Sequence, residues 1–303
     1  MTDLSVNIAG VKLKNPIIAA SGTFGFGREY NELFSIEKLG GISLKGTTLN
    51  ERTGNNMPRI AETPSGMLNS VGLQNPGIDH LINDDIPWLK EQNTVMIANI
   101  AGATVEDYVA ACEKINGTAI DMVELNISCP NVKAGGAAFG TSCESVSLVT
   151  KSVRAVLKKP LMVKLSPNVT DITEMALAAE SEGADAISLI NTLLGMRIDI
   201  TTKRPVLNNN VGGLSGAAIF PVALRMVWQV ASKVKVPVVG MGGITKWQDA
   251  IEMMQAGASA LQVGTAFFTD PFAGVKIIDG IKEYCQNNNI EKVSSITKTV
   301  IPW

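Results

Sequence analysis

The stretch LMVKLSPNVTDITEMALAAESEGADAISLI, residues 161–190, contains one complete strand–helix–strand unit. It begins and ends with short apolar runs, residues 161–165 and 186–190. Between them, Asp171 followed by Glu174 has the pattern of a capping box at the start of a helix. Gly183 can adopt the left-handed conformation that ends a helix and turns the chain into the next strand. This arrangement is typical of parallel strands joined by a crossover helix.

The same unit recurs along the chain, because similar apolar runs alternate with segments of helical periodicity. The runs are residues 16–20, 41–45, 95–100, 122–127, 161–165, 186–190, 236–240 and 260–263. A doubly wound sheet is built from such units too, but eight near-regular units favour closure into a barrel. We therefore predict the α/β class and a (β/α)₈ TIM barrel that occupies residues 1–303 as a single domain.

Segments outside these units complete the predicted architecture. Residues 4–13 alternate around Ala9 and Gly10, which predicts an N-terminal hairpin that closes the bottom of the barrel. Long linkers follow strands 2 and 6, at residues 47–75 and 192–216, and a glycine-rich run at 133–140 follows strand 4. Long loops in compact domains are usually lids or binding loops, so we expect these three near a functional site.

Composition excludes several classes of protein. Of 303 residues, 46% are hydrophobic and 18% are charged, which is too apolar for a disordered chain. The net charge of −2, with both signs interspersed, argues against a nucleic-acid groove or a basic membrane patch. The N-terminus lacks the basic and apolar regions of a signal peptide, and no apolar stretch is long enough to span a membrane. A cytoplasmic location is expected.

The cysteines show neither a disulfide framework nor metal-ligand spacing. Cys112, Cys129, Cys143 and Cys285 form no CxxC pair. We therefore predict free thiols, no metal site and no iron–sulfur cluster held by this chain.

Polar residues and glycines follow the predicted strands, where barrel enzymes build their sites. In chain order they are Ser21-Gly22, Lys45-Gly46, Asn99, Asn126, Lys164, Asn191-Thr192, Gly242-Gly243 and Gly264-Thr265. The last two pairs follow strands 7 and 8, where barrels often bind phosphate through free backbone N–H groups. Lys164 ends an apolar strand, so it has to reach solvent or face an anion. Any one of these residues alone also fits a solvated strand end.

A general base is harder to identify. The single histidine, His80, is predicted at a helix start on the surface, and the chain has no GxSxG nucleophile motif. Cys129 directly follows strand 4 and precedes the glycine-rich run. A free cysteine is often only a small buried hydrophobe, so position alone leaves its role open.

Three motifs carry a family resemblance that covers essentially the whole chain. They are NPIIAASGTFGFG at residues 15–27, NSVGLQNPG at 69–77 and NISCPNVK at 126–133, joined by the late glycine pairs. With these motifs the sequence resembles the class 1 dihydroorotate dehydrogenases, and most closely the class 1B catalytic subunit.

The resemblance implies ligands and roles for individual residues. One FMN per chain is held by Ser21, Lys45, Gly46, Asn99, Asn126, Lys164, Ile190, Gly216, Gly242, Gly243, Gly264 and Thr265. Dihydroorotate is held by Lys45, Asn69, Ser70, Val71, Gly72, Leu73, Asn126, Asn191 and Thr192. Cys129 removes a proton from C5 of dihydroorotate while hydride leaves C6 for the flavin, a step of pyrimidine (UMP) biosynthesis that yields orotate.

The resemblance also implies an electron acceptor. Class 1B enzymes pass electrons to NAD⁺ through a partner subunit that carries FAD and a two-iron two-sulfur cluster, so a homodimer of this chain with that subunit, a heterotetramer, is expected. The alternatives are a fumarate-using class 1A homodimer, another flavin barrel such as a tRNA dihydrouridine synthase, and a phosphate-ligand-binding barrel without turnover. A net charge of −2 fits poorly with RNA binding.

Overall fold

Eight parallel strands form a closed barrel in the computed structural model, which describes residues 2–128 and 139–303. In chain order they are β1 (Ile17–Ala19), β2 (Gly41–Ser43), β3 (Val95–Ile100), β4 (Met122–Asn126), β5 (Leu161–Lys164), β6 (Ala186–Leu189), β7 (Val238–Met241) and β8 (Ala260–Val263). Each strand pairs with the next, and β8 pairs with β1. The predicted TIM barrel is confirmed. Strand β7 begins two residues later than predicted, after Pro237, which has no N–H to donate.

Helices surround this barrel. The longer ones are Val105–Ile115, Cys143–Val156, Ile172–Ser181, Phe220–Ala231, Trp247–Gln255 and Ala273–Asn287. Short α-helices span Arg28–Asn31, Ile78–His80, Ile86–Lys90 and Ala266–Thr269, with a π-helical turn at Leu81–Asp85 and 3₁₀ turns at Ile36–Lys38, Ala217–Ile219 and Val293–Ile296. Among the described residues, none of the helices has the length and apolar character needed to cross a membrane.

The strand–helix–strand unit of residues 161–190 folds as its sequence predicts. The Asp171 carboxylate caps its helix by accepting a hydrogen bond from the backbone N–H of Thr173, at 2.8 Å. Among the described residues, Glu174 does not return the second bond of a capping box. Gly183 ends the helix with φ +93°, in the left-handed region that favours glycine.

The N-terminal hairpin pairs Val6–Ile8 with Val11–Leu13 in antiparallel register. Ala9 and Gly10 form its turn with positive φ values of 50° and 87°, as the tight turns of two-residue hairpins require. The turn lies beside the residues that lead into β7 and β8. The hairpin therefore covers the amino end of the barrel, as predicted.

The two long linkers after β2 and β6 meet in one antiparallel sheet, which we term the cap sheet. Its strands, in spatial order, are Leu193–Gly195, Gly212–Ser215, Gly66–Asn69 and Ile60–Thr63. A separate two-stranded ribbon joins Ile198–Asp199 to Arg204–Pro205. The sequence predicted these linkers as loops without strands. The predicted loop after β4 lies largely outside the described residues.

Candidate active site

A cavity of about 390 Å³ opens at the carboxyl ends of the barrel strands. Residues at or just after the ends of seven strands line it: Ser21, Lys45, Asn126, Lys164, Ile190, Gly242 and Gly264. The cap sheet adds a wall through Ile60, Met67, Asn69 and Ser215. The cavity thus lies where barrels carry their chemistry, and the cap sheet covers part of it.

Most of the predicted binding residues line this one cavity. From the predicted cofactor set these are Ser21, Lys45, Gly46, Asn126, Lys164, Ile190, Gly216, Gly242, Gly243, Gly264 and Thr265. From the predicted substrate set they are Lys45, Asn69, Val71, Gly72, Leu73, Asn126, Asn191 and Thr192. Residues more than 240 positions apart in the chain therefore share one space.

Of the predicted residues that the structure describes, two are not part of the cavity lining. Asn99 and Ser70 are fully buried and do not line it. Asn99 instead lies behind Asn126, whose side-chain amide donates to it at 3.1 Å. Cys129, the predicted base, lies outside the described residues.

Lys164 brings a positive charge to the cavity. Its side chain is only 5% exposed, yet it forms no hydrogen bond or ion pair with the part of the chain that the structure describes. A buried ammonium without a counter-charge is costly. This wall of the cavity therefore favours an anionic ligand group.

The turns at the ends of β7 and β8 are a second place in the cavity suited to an anion. The backbone N–H groups of Gly242, Gly243, Gly264 and Thr265 donate to none of the described residues. Gly243 has φ +76°, and a Cβ atom there would lie 2.6 Å from the backbone nitrogen of Phe220. A glycine is therefore required where the chain turns. Free backbone N–H groups at such turns bind phosphate oxygens.

A directed chain of hydrogen bonds runs along the wall between β3 and β6. The amide nitrogen of Asn191 donates to the hydroxyl of Ser128 at 2.9 Å, and that hydroxyl donates to the Asn126 carbonyl oxygen at 3.0 Å. The Asn126 amide nitrogen then donates to Asn99 at 3.1 Å. These bonds fix which end of each amide faces the cavity, as recognition of a ligand requires.

Polar residues that the sequence analysis did not single out lie below this wall. Glu124 is fully buried, and its carboxylate accepts hydrogen bonds from Ser43, Asn99, Ser188 and Gln262. The available signal was the spacing of Glu124 and Asn126 in β4, since alternate residues of a strand share a face. Gln262 also lines the cavity.

Arg59 is a further cavity residue that the sequence analysis missed. It precedes the cap-sheet strand Ile60–Thr63, and its guanidinium donates to the backbone oxygen of Asn55 at 3.2 Å and to the Gln74 side chain. No strand-end pattern marks it, because it lies inside a linker.

The three cysteines that the structure describes do not line the cavity. Burial raises the pKa of Cys112 to about 12 and also raises the pKa of Cys285. Both thiols therefore stay protonated and pack as small apolar groups. Cys143 begins the helix Cys143–Val156 and is partly exposed.

Comparisons with known proteins identify the family of the chain. A sequence model of one protein family, described as dihydroorotate dehydrogenase, matches residues 3–285. Proteins named dihydroorotate dehydrogenase B (NAD(+)), catalytic subunit, from Bacteroides thetaiotaomicron and Bacteroides fragilis are each 57% identical over 297 residues. The alignment covers 98% of this chain and 98% of each relative. A protein of the same name from Alkaliphilus oremlandii is 56% identical over 294 residues, 97% of each chain.

Proposed function

The chain belongs to the dihydroorotate dehydrogenase family, and we propose that it oxidises dihydroorotate to orotate as the FMN-containing catalytic subunit of an NAD⁺-linked enzyme. The observation that carries the proposal is one cavity lined both by Lys164 and by the glycine turns after β7 and β8, two places suited to an anion. A flavin mononucleotide has a phosphate at one end and, when reduced, an anionic ring at the other.

The residues of the cavity fit FMN. Four backbone N–H groups, from Gly242, Gly243, Gly264 and Thr265, have no acceptor among the described residues and suit the phosphate. The Lys164 ammonium suits the reduced ring, and Gly46 and Ser21 line the same cavity. When bound, the flavin supplies the acceptor for a hydride. We propose one FMN per chain, held by the predicted cofactor residues that line the cavity, with Asn99 supporting Asn126 from behind.

Dihydroorotate presents a carboxylate and two carbonyl groups, which accept hydrogen bonds. The wall formed by Lys45, Asn126 and the cap-sheet residue Asn69 can supply donors to these groups. Asn191, Thr192 and the stretch Val71–Leu73 border the same space. We assign substrate binding to this wall, which would orient the substrate ring for loss of hydride from C6.

Cys129 is the proposed base. It takes the proton from C5 of dihydroorotate as the C6–H bond gives up its hydride, so that a C5–C6 double bond forms and orotate leaves two electrons on the flavin. The thiolate is the reactive form of cysteine, and an ordinary thiol has a pKa of about 8.5. The rate of flavin reduction should therefore rise with pH through the neutral range unless the site lowers that pKa.

The relatives' name, catalytic subunit with NAD(+), supports a second subunit. We propose that electrons leave the flavin for NAD⁺ through a partner that carries FAD and a two-iron two-sulfur cluster. In this proposal the assembly is a cytoplasmic heterotetramer built on a homodimer of this chain.

Purification and anaerobic titration test the proposal. The protein should be yellow, mass spectrometry of the released flavin should identify FMN, and dihydroorotate should bleach the absorbance. The isolated chain should reduce artificial acceptors but reduce NAD⁺ only slowly. A protein that neither contains nor accepts FMN would refute the assignment, and rapid fumarate turnover would move it to the class 1A type.

A further inference from the structure

Glu124 is a buried carboxylate at the centre of the barrel. TIM-barrel interiors are usually filled by branched apolar side chains, and an ionised carboxylate is costly there unless it is fully hydrogen-bonded. One oxygen of Glu124 accepts from Ser43 at 2.7 Å and from Asn99 at 2.6 Å. The other accepts from Ser188 at 2.8 Å and from Gln262 at 2.5 Å. Donors on four other strands thus satisfy both oxygens.

The four donors differ in whether they can also act as hydrogen-bond acceptors in place. The hydroxyls of Ser43 and Ser188 can rotate to donate or to accept. The amides of Asn99 and Gln262 cannot, because only their nitrogen ends donate. A carboxylate accepts only, so it fixes the orientation of both amides.

This orientation reaches the cavity through Asn99. With its nitrogen turned to Glu124, Asn99 presents its oxygen to Asn126, which donates to it at 3.1 Å. The Asn126 oxygen is turned to Ser128, whose backbone N–H and hydroxyl donate to it at 3.3 and 3.0 Å. The second N–H of the Asn126 amide is then available to a ligand in the cavity, where Asn126 lies.

Gln262 carries the same orientation to another wall. Its nitrogen faces Glu124, and its side-chain oxygen is buried without a partner among the residues that the structure describes. Because Gln262 lines the cavity, Glu124 fixes the orientation of the Gln262 amide in the cavity wall and, through Asn99, the direction of the Asn126 donor.

We infer that Glu124 is a positioning residue that sets the hydrogen-bonding polarity of the cavity through Asn99 and Gln262. The identity of the ligands, FMN and orotate, rests on the proposed function, whereas the network itself stands on the geometry. A ligand with an acceptor at Asn126 is favoured, and one with a donor there is rejected.

The variant Glu124→Gln tests this inference with almost no change of size. One end of the new side chain becomes an NH₂ group, which must face either Asn99 or Gln262. The serines can rotate, but one amide has to flip or lose its bond. Apoprotein should bind FMN about tenfold more weakly, and holoprotein should bind orotate about tenfold to a hundredfold more weakly. Flavin fluorescence quenching and the orotate-induced change in flavin absorption measure these constants.

Ser188→Ala is the matched control. Ser188 is as deeply buried as Glu124 and donates to the same carboxylate, but it fixes no amide. Its FMN and orotate dissociation constants should stay within about twofold of wild type. Equal losses in Ser188→Ala and Glu124→Gln would reduce Glu124 to a structural role and overturn the inference.

The double variant Glu124→Gln with Asn99→Asp supplies a rescue. The carboxylate at position 99 can accept hydrogen bonds from the new amide and from Asn126. The bonds between positions 124, 99 and 126 are then restored, and Asn126 keeps its wild-type orientation. Orotate affinity should return to within about threefold of wild type. If it does not recover, the inference that Glu124 acts through Asn99 is contradicted. If Glu124→Gln does not fold, Asn99→Leu serves instead, because it keeps Glu124 but removes the amide that links Glu124 to Asn126. Orotate binding of wild-type strength in Asn99→Leu would equally contradict the inference. The proposed function is refuted instead if wild-type protein binds FMN but does not bind orotate and is not bleached by dihydroorotate. In that case the FMN dissociation constants of the variants still test the role of Glu124.

Discussion

The two ends of the barrel are built on opposite principles. At the amino end the hairpin buries Val6, Ile8 and Leu13 in the hydrophobic core, and its polar backbone is paired. At the carboxyl end, Lys164 is buried without a partner among the described residues, and the glycine turns leave N–H groups unbonded. The first arrangement gains stability from burial, whereas the second keeps groups unsatisfied for a ligand.

This difference predicts separable effects of mutation. Substitutions at the carboxyl end should change ligand binding and rate while leaving stability unchanged or higher. Substitutions at the amino end should lower the free energy of unfolding while leaving the chemistry of the bound flavin unchanged.

The largest expected effect is that of Cys129→Ala. Loss of the proposed base should slow flavin reduction by dihydroorotate about 10²–10⁴-fold. FMN content should stay at one per chain, because Cys129 is not among the proposed flavin contacts. Stopped-flow bleaching of the flavin across pH measures the rate, and Cys129→Ser should recover in part at high pH.

Cys143→Ala is the control for this variant, since Cys143 lies nearby in sequence but does not line the cavity. Its bleaching rate should equal that of wild type. A wild-type rate in Cys129→Ala would assign proton abstraction to another group.

Lys164→Met should have the next largest effect. Removal of the proposed partner of the reduced ring should slow flavin reduction about 10²–10³-fold. The same change removes a charge that lies in a largely buried position without a partner among the described residues, so the melting temperature of the apoprotein should rise. Calorimetry without FMN and stopped-flow bleaching with it measure the two effects.

Lys159→Met is a matched control, because Lys159 lies just before the amino end of the same strand, β5. Its ammonium donates to the backbone oxygens of Thr118 and Ile120, at 2.9 and 2.8 Å. This substitution should therefore lower the melting temperature and leave flavin reduction unchanged. If both lysine variants lost stability and kept the wild-type rate of flavin reduction, the amino and carboxyl ends of the barrel would not differ in this way.

The barrel itself could be predicted because its signal is repeated. Each strand is a short apolar run bounded by polar residues, and β3 and β8 have the predicted limits. Parallel pairing of the strands brings their carboxyl ends together. The polar residues at those ends therefore correctly predicted most of the cavity lining.

The cap sheet and the layer around Glu124 could not be predicted, for two physical reasons. The cap-sheet strands are short, and they come from two linkers that are separated in the chain by strands β3 to β6. An example is the pairing of Gly66–Asn69 with Gly212–Ser215. Glu124 and Gln262 are single polar residues inside apolar strands, and only the closed barrel shows that their side chains meet.

Leu13→Ala tests the amino end directly. Leu13 is 1% exposed, and its truncation should lower the free energy of unfolding by about 2–5 kcal/mol through lost burial and a cavity. Urea denaturation of the apoprotein measures this loss. Flavin reduction at saturating dihydroorotate should stay within about twofold of wild type. A large change in that rate would show that the hairpin is coupled to the cavity.

The smallest effect is expected for Gly183→Ala, at the turn that leads into the amino end of β6. Gly183 has φ +93°, where an alanine costs roughly 1–2 kcal/mol. The added Cβ would lie 3.0 Å from Cγ of Arg154, whose guanidinium is hydrogen-bonded to Asp185, Leu157 and Lys159, so packing should add to this cost. Urea denaturation should therefore show a loss of at least about 1–2 kcal/mol. Because the turn lies at the end of the strand opposite the cavity, FMN affinity and flavin reduction should be those of wild type, and a change in either would mean that β6 transmits strain along its length.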